Sequence, residues 1–198
     1  CGVTPNNETS YQIIETKGVK IAFLAYTYNF ELENEEIKKY INIYEEERVK
    51  QDIEKAKEEA EYICVLMHWG DISTNKVNSE QENIANFLIS EGVDMILGSH
   101  PGVVQKMEIK QNKEGKNILV AYSLGNFLAT FGNDNYNTEI LLNVQLGKNA
   151  DTGEVVLTKV DYIPVYMLDQ GKKEENRYCL VDMKKLATDY ASGNKQAT

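Results

Sequence analysis

Cationic side chains and long apolar runs are both scarce in this sequence. Its 198 residues carry 21 Lys and Arg against 31 Asp and Glu, which gives a formal net charge of −10. Because affinity for DNA or RNA depends largely on cations that neutralise phosphates, this balance argues against a nucleic-acid partner. No stretch approaches the roughly 20 apolar residues that cross a bilayer. We therefore predict a soluble chain that would reach a membrane only through an amino-terminal anchor outside this sequence.

Cysteine is also rare, and its spacing is uninformative about metal or disulfide frameworks. The three cysteines, Cys1, Cys64 and Cys179, lie far apart with no CxxC pair, which excludes a disulfide scaffold and a zinc finger. Cys64 falls within the apolar run 62–67, so we expect a buried small hydrophobe. Cys1 opens onto a polar stretch and is either the boundary of a processed or cloned piece or a lipid-bearing residue.

Several catalytic signatures are missing. The sequence contains no GxxxxGK[ST], no GxGxxG, no HExxH and no GxSxG. Because each of these patterns carries the geometry of one chemistry, their absence argues against a P-loop nucleotidase, a dinucleotide enzyme, a zincin and an α/β-hydrolase.

Hydrophobic periodicity predicts an α/β domain of mixed sheets. Apolar residues make up 42% of the chain, enough for one core or for one core and a small appendage. Two hairpins, a strand-helix-strand unit and a later pair of strands alternate with two amphipathic helices. The predicted strands are 11–14, 19–26, 63–67, 93–97, 103–109, 118–122, 139–146 and 155–165; the predicted helices are 49–60, 79–90 with Ser79 as its cap, and 182–190.

The only two histidines each follow a predicted buried strand. His68 stands in the run His68-Trp69-Gly70 and His100 in Gly98-Ser99-His100-Pro101. Because ligands bind where parallel strands end, we expect the two imidazoles to share one cleft. Gly70 and Gly98 would allow sharp or positive-φ turns beside the histidines, and Pro101 would hold His100 in extended geometry. Asn126, in Ser123-Leu124-Gly125-Asn126, is either a ligand-binding amide or part of a turn.

Four blocks in this order resemble the bacterial capsule synthesis protein CapA family, which is associated with poly-γ-glutamate biosynthesis and belongs to the calcineurin-like metallophosphatase superfamily. The blocks are VKIAFLAY at 19–26, HWG at 68–70, GSHPGVVQ at 98–105 and YSLGNF at 122–127, and the resemblance covers residues 2–146. It implies a metallophosphatase-like sandwich of mixed sheets flanked by helices. It also implies that His68 and His100 are metal ligands and catalytic residues, and that Asn126 lines the same mouth as a further catalytic residue. The cofactor implied is a pair of divalent ions, Mn, Fe or Zn, that supports phosphoester hydrolysis.

Three departures from the family pattern make the site incomplete. The upstream Gly-Asp and Asn-Asn-His blocks are absent, Gly102 replaces the second histidine of the G-x-H-P-H block, and Ile72 replaces an acidic residue, with Asp71 beside it. We therefore predict an incomplete half domain over 1–146, the carboxyl-terminal part of the family domain, with an extension at 147–198 packed on it. Such a chain would bind no metal by itself, and it would form a homodimer or associate with its missing half to cover an apolar face.

Three functions remain open at this point. The first is an accessory role at the extracellular face of the cell envelope, holding, exporting or processing an anionic polymer. The second is a metal-dependent phosphoesterase acting on a phosphoester substrate in the full-length protein. The third is a non-catalytic interaction module that uses the acidic surface at 45–61.

Overall fold

The computed structural model describes residues 11–28, 36, 40–127, 134–171 and 177–192. Cys1 lies outside the described residues, as do the opening of the family resemblance and part of the acidic segment before residue 45. The sequence fills these ranges with two sheets and three described α-helices.

The larger sheet has six strands: β1 Tyr11–Thr16, β2 Val19–Thr27, β3 Tyr62–His68, β4 Met95–Ser99, β5 Met107–Gln111 and β6 Asn117–Ala121. They lie in the order β1-β2-β3-β4-β6-β5. Strands β2, β3, β4 and β6 run parallel in the centre of the sheet, while β1 and β5 add antiparallel edges. Side chains alternate along β3: Ile63, Val65 and Met67 belong to one core, and Tyr62 and Cys64 belong to another.

Two helices cover one face of this sheet. Helix α1, Glu46–Glu59, buries Val49, Ile53 and Ala56 and leaves most of its charged residues exposed, as the periodicity predicts. Helix α2, Ser79–Ser90, has the predicted length, but its cap is Asn78 rather than Ser79. The Asn78 side chain accepts a hydrogen bond from the Gln81 backbone N–H, and the Gln81 side chain accepts one in return from the Asn78 N–H. This capping box displaces Ser79 because it satisfies two backbone donors instead of one.

A three-stranded antiparallel sheet lies against the other face. It contains β7 Thr138–Lys148, β8 Val155–Asp169 and β9 Tyr178–Asp182, preceded by a 3₁₀ turn at Asp134–Asn137 and followed by helix α3, Met183–Ala191. Leu142, Val144 and Leu146 of β7 pack with Tyr62 and Cys64 of the larger sheet. The fold is therefore layered as helices, six-stranded mixed sheet and small antiparallel sheet.

Most predicted elements are present, with differences at their ends. The strand predicted at 93–97 begins two residues later, because the Val93 and Asp94 backbones hydrogen-bond to Leu88 and Ile63 at the turn leaving α2. The strand predicted at 103–109 is shorter and starts at Met107. Strand β9 is absent from the sequence-based prediction, since its five residues, YCLVD, are too few to show a period. Cys64 is fully buried, as expected.

Among the described residues, the structure contains no helix both long enough and apolar enough to span a membrane.

Candidate functional site

The two histidines lie side by side at the carboxyl ends of adjacent parallel strands. In the β3–β4 register, His68 pairs with Ser99, so His100 follows one residue beyond the end of the ladder. Their ring centroids are 4.3 Å apart and the ring planes are inclined by 49°. The predicted convergence of the two imidazoles is confirmed, whereas their roles as metal ligands or catalytic residues stay predictions.

Trp69, just after β3, is bound to Tyr122, just after β6, so that it bridges the end of β4 between them. Its indole N–H donates to the Tyr122 carbonyl at 2.9 Å, and its ring stacks on Tyr122 with centroids 5.8 Å apart. A Cβ on Gly98 would lie 2.0 Å from the Tyr122 carbonyl oxygen and 2.4 Å from the indole nitrogen. Gly98 therefore serves close packing and its φ is not positive, whereas Gly70 adopts the positive φ that was one of the two expected alternatives, +79°.

The backbone of His100 is unusual. Its φ is +98°, so the expectation that Pro101 holds it in extended geometry is wrong. Residues other than glycine rarely adopt a positive φ, and they keep it only where the surrounding contacts hold the backbone in that conformation. Here those contacts are two hydrogen bonds between the loops, from Trp69 N–H to the Ser99 carbonyl at 3.2 Å and from Ser73 N–H to the Pro101 carbonyl at 2.9 Å.

Asn126 lies on the neighbouring loop, close to Gly102. A Cβ on Gly102 would stand 3.0 Å from the Asn126 amide nitrogen and 3.0 Å from the Tyr136 ring, and Gly102 has φ +72°. A histidine would not fit at position 102 without moving both neighbours. Replacement of the family's second histidine by glycine is thus matched by the packing around it. Within the same block, Tyr122 is buried and Phe127 is 53% exposed.

Carboxylates do not complete the cluster. Asp71 is exposed and accepts a hydrogen bond from the Asn78 side chain at 2.9 Å, while Ile72 is 64% exposed. Within the described ranges, no group of three or more His, Cys, Asp or Glu side chains is arranged to hold a metal ion. A dinuclear centre needs several imidazole, amide and carboxylate ligands, so the residues present do not fit one.

Burial and the nearby His100 control the protonation of His68. Partial burial lowers the pKa of His68 below its ordinary value, and the neighbouring His100 lowers the pKa further because two adjacent imidazolium charges repel. His68 is therefore neutral at pH 7. A neutral imidazole can accept a proton or coordinate a cation.

Two features of this region were missed from sequence. The Gln105 amide donates to the carbonyls of Thr74 and Lys76, at 3.0 Å each, and accepts from Gln81 at 2.9 Å, which joins the loops after β3 and β4 to the start of α2. The Asn-x-x-Gln spacing at 78–81 was a readable signal for the cap. Glu139 on β7 is 1% exposed, and neither of its carboxyl oxygens has a hydrogen-bond partner among the described residues. The sequence offered no signal for this.

Comparisons with known proteins point to one family. A family model described as bacterial capsule synthesis protein PGA_cap matches residues 1–130. PGA biosynthesis protein CapA of Bacillus subtilis (strain 168) is 32% identical over 109 residues, covering 55% of this chain and 27% of that protein. Capsule biosynthesis protein CapA of Bacillus anthracis is 31% identical over 125 residues, covering 61% of this chain and 28% of that protein. The aligned part of this chain thus spans little more than a quarter of the length of these relatives.

A solved structure supports the fold alone. A hypothetical protein from Thermus thermophilus superposes with a TM-score of 0.50 at 13% identity, covering 82% of this chain and 64% of that chain. The shared architecture is the mixed α/β arrangement described above.

Proposed function

This chain belongs to the bacterial capsule synthesis protein PGA_cap family, and from that membership we propose that it serves capsule or poly-γ-glutamate biosynthesis as an accessory protein. The family match over residues 1–130 carries the proposal, and the names of the two Bacillus relatives support it. Its role would be to hold, export or process an anionic polymer at the extracellular face of the cell envelope. Anchoring to the membrane would fall to a segment of the full-length protein outside this chain.

The charge of the chain limits how an anionic polymer can bind. A net charge of −10 repels a polycarboxylate at long range. We expect contact to be local, at the mouth formed by His68, His100 and Asn126, or to be bridged by divalent counter-ions carried by the polymer.

A second candidate is phosphoester hydrolysis by the full-length protein. The observation that favours it is the placement of two imidazoles 4.3 Å apart at a strand-end mouth. Because the described residues do not fit a complete dinuclear centre, the other ligands would come from the remainder of the longer protein. The chain alone is then expected to be inactive.

Polymer binding tests the first proposal. Fluorescence anisotropy of labelled poly-γ-glutamate is measured against the purified chain, once in EDTA and once with Ca²⁺ or Mn²⁺. We expect saturable binding that weakens in His68→Gln and His100→Gln, with Glu114→Gln, on an exposed turn, as the control variant. Absence of binding in every buffer would overturn the polymer role.

A phosphodiester hydrolysis assay tests the second proposal. Turnover of bis(p-nitrophenyl) phosphate in Mn²⁺ is compared between this chain and a longer protein that includes the upstream family blocks. Turnover by the longer protein that His100→Ala abolishes would support the enzyme. Equal background rates from the longer protein and its His100→Ala variant would refute it.

The small sheet bears on the expected partner. Large apolar side chains on β7, β8, β9 and α3 are partly exposed: Leu141, Ile163, Leu180, Met183, Leu186 and Tyr190. A second copy, or the remainder of the longer protein, would cover this surface. Light scattering at micromolar concentration should give twice the chain mass, and a single-chain mass without hydrophobic-dye binding would count against association.

A further inference from the structure

A polar pocket lies beside the histidine mouth. It has a volume of about 290 Å³, and the described residues that line it come from three segments: Ser73 and Asn75 after β3, Val103 and Val104 after β4, and Thr138 at the start of β7. His68 is the last residue of β3, directly before the first of these loops, and His100 is the first residue of the loop after β4. The pocket therefore shares its walls with the candidate site without including the imidazoles.

Hydrogen bonds hold these walls in place. Ser73 N–H donates to the Pro101 carbonyl at 2.9 Å, which joins the two loops directly. The buried Gln105 amide joins them again through the Thr74 and Lys76 carbonyls. The Ser73 and Tyr136 hydroxyls also form a hydrogen bond. The pocket is thus formed before any ligand arrives, which lowers the entropic cost of binding.

The described residues that line the pocket favour an uncharged ligand over a charged one. None of the five described lining residues is ionisable, and the residue that ties the two loops together, Gln105, is a neutral amide. A phosphate or carboxylate would find no cation among these lining residues, in a chain whose net charge is −10. Hydroxyl and amide groups, in contrast, both donate and accept hydrogen bonds. Val103 and Val104 add an apolar wall.

Size restricts the ligand further. Pockets for small molecules begin at roughly 300 Å³, so this one holds a single compact ring rather than an extended group. We propose that the pocket binds an uncharged, hydroxyl-bearing unit of monosaccharide size, such as a neutral sugar residue of an envelope glycan. This goes beyond the proposed function, because it names a second ligand class that differs in charge from the polymer considered above.

Ligand-detected NMR with isothermal titration tests this assignment in EDTA. The probes are N-acetylglucosamine and glucose as neutral sugars, and N-acetylglucosamine 6-phosphate as a charged counterpart of the first. We expect at least one neutral sugar to bind and the phosphate to bind at least about tenfold more weakly, as one unpaired buried charge requires. Phosphate binding as tight as that of the neutral sugar, or no binding of either neutral sugar at about 50 mM, well above the millimolar range of weak ligands, would overturn the assignment.

Variants locate the binding. Thr138→Val removes a hydroxyl at nearly constant shape, and Asn75→Ala removes an amide, so each should weaken the neutral sugar about fivefold, the usual effect of one hydrogen bond. Thr158→Val on β8, whose hydroxyl bonds to the Gln145 carbonyl outside the pocket, is the matched control. Circular dichroism verifies that each variant is folded. Unchanged affinity in both pocket variants would place the sugar elsewhere and refute the proposal.

Because these titrations contain no divalent cation and no polymer, their failure leaves the anisotropy result on poly-γ-glutamate standing. Conversely, sugar binding in a chain that ignores poly-γ-glutamate would refute the polymer role and retain the pocket.

Discussion

The six-stranded sheet and the three-stranded sheet differ in how much of their apolar surface is buried. Among the described residues, the core between the larger sheet and helices α1 and α2 contains twenty buried residues, whereas the core between the two sheets contains five. Helix α2 buries five side chains and helix α3 buries none. The larger sheet is covered on both faces by described elements, while Leu141, Ile163 and Leu180 of the small sheet stay 36–42% exposed. The candidate site lies at the edge of the well-packed part, so its geometry depends on that part, and the small sheet acts chiefly as a cover.

The largest expected loss of stability comes from adding a side chain at Gly98, which lies against Trp69. Gly98→Ala places a Cβ 2.0 Å from a backbone oxygen that cannot rotate away, and we expect it to cost more than about 4 kcal/mol of unfolding free energy. The matched change in the small sheet, Gly147→Ala, meets only the tip of the Thr158 side chain, at 2.7 Å, and should cost about 1 kcal/mol or less. Urea unfolding measures both. Equal losses would remove the contrast between the two sheets.

Truncation of one leucine in each helix gives a smaller difference. Leu88 of α2 is fully buried, and Leu88→Ala should destabilise the protein by about 3 kcal/mol through lost burial and a cavity. Leu186 of α3 is 38% exposed, and Leu186→Ala should cost less than about 1 kcal/mol. Both values come from chemical denaturation monitored by Trp69 fluorescence. A large loss at Leu186 would show that α3 is covered by a second chain in solution.

Glu139 and Val155, each 1% exposed, are the most deeply buried of the described residues in the small sheet. Desolvation raises the pKa of its carboxyl from 4.5 to about 7. The folded state therefore holds this proton more strongly than the unfolded state. The contribution of Glu139 to stability is fully present below pH 4.5 and is lost as pH rises through 7. The loss amounts to on the order of 3 kcal/mol, given a rise of about 2.5 pKa units and about 1.36 kcal/mol per unit.

The stability of the Glu139→Gln variant, measured by urea unfolding between about pH 5 and pH 8, should lack this part of the pH dependence. Glu114→Gln on an exposed turn serves as the control and should keep the wild-type slope. If Glu139→Gln also keeps that slope, the carboxyl has found a partner when ionised.

The smallest expected effect concerns His68. Burial lowers its pKa first, and His100 lowers it further, so His100→Gln should raise the pKa of His68 while leaving it below its ordinary value of 6.5. NMR titration of the imidazole carbon-bound protons measures the change. A lowered pKa in the folded state means that the contribution of His68 to stability is present above pH 6.5 and is lost as pH falls. An unchanged pKa in His100→Gln would show that the two rings are not electrostatically coupled.

The sequence predicted the parts of this molecule that follow from periodicity. The alternation in β3 and the 3.6-residue repeat in α1 depend only on which side chains can enter the core. Convergence of His68 and His100 followed from the same logic, since the ends of adjacent parallel strands meet at one edge.

The sequence could not predict features set by contacts distant along the chain. The role of Gly98 depends on Trp69 and Tyr122, the φ of His100 depends on hydrogen bonds between two loops, and the isolation of Glu139 depends on what surrounds β7. Ser79 was predicted as the cap in place of Asn78, because the capping box at Asn78 depends on the Gln81 side chain turning back toward it.

The positive φ of His100 has a consequence for evolution and engineering at this position. The main chain there favours glycine, yet glycine would remove the imidazole, and every other substitution would keep a conformation that the backbone disfavours. Only glycine at position 100 would relieve the backbone, and it would remove the imidazole ring. Directed evolution for thermal robustness should therefore enrich glycine at position 100, whereas selection for whatever the ring does should remove it.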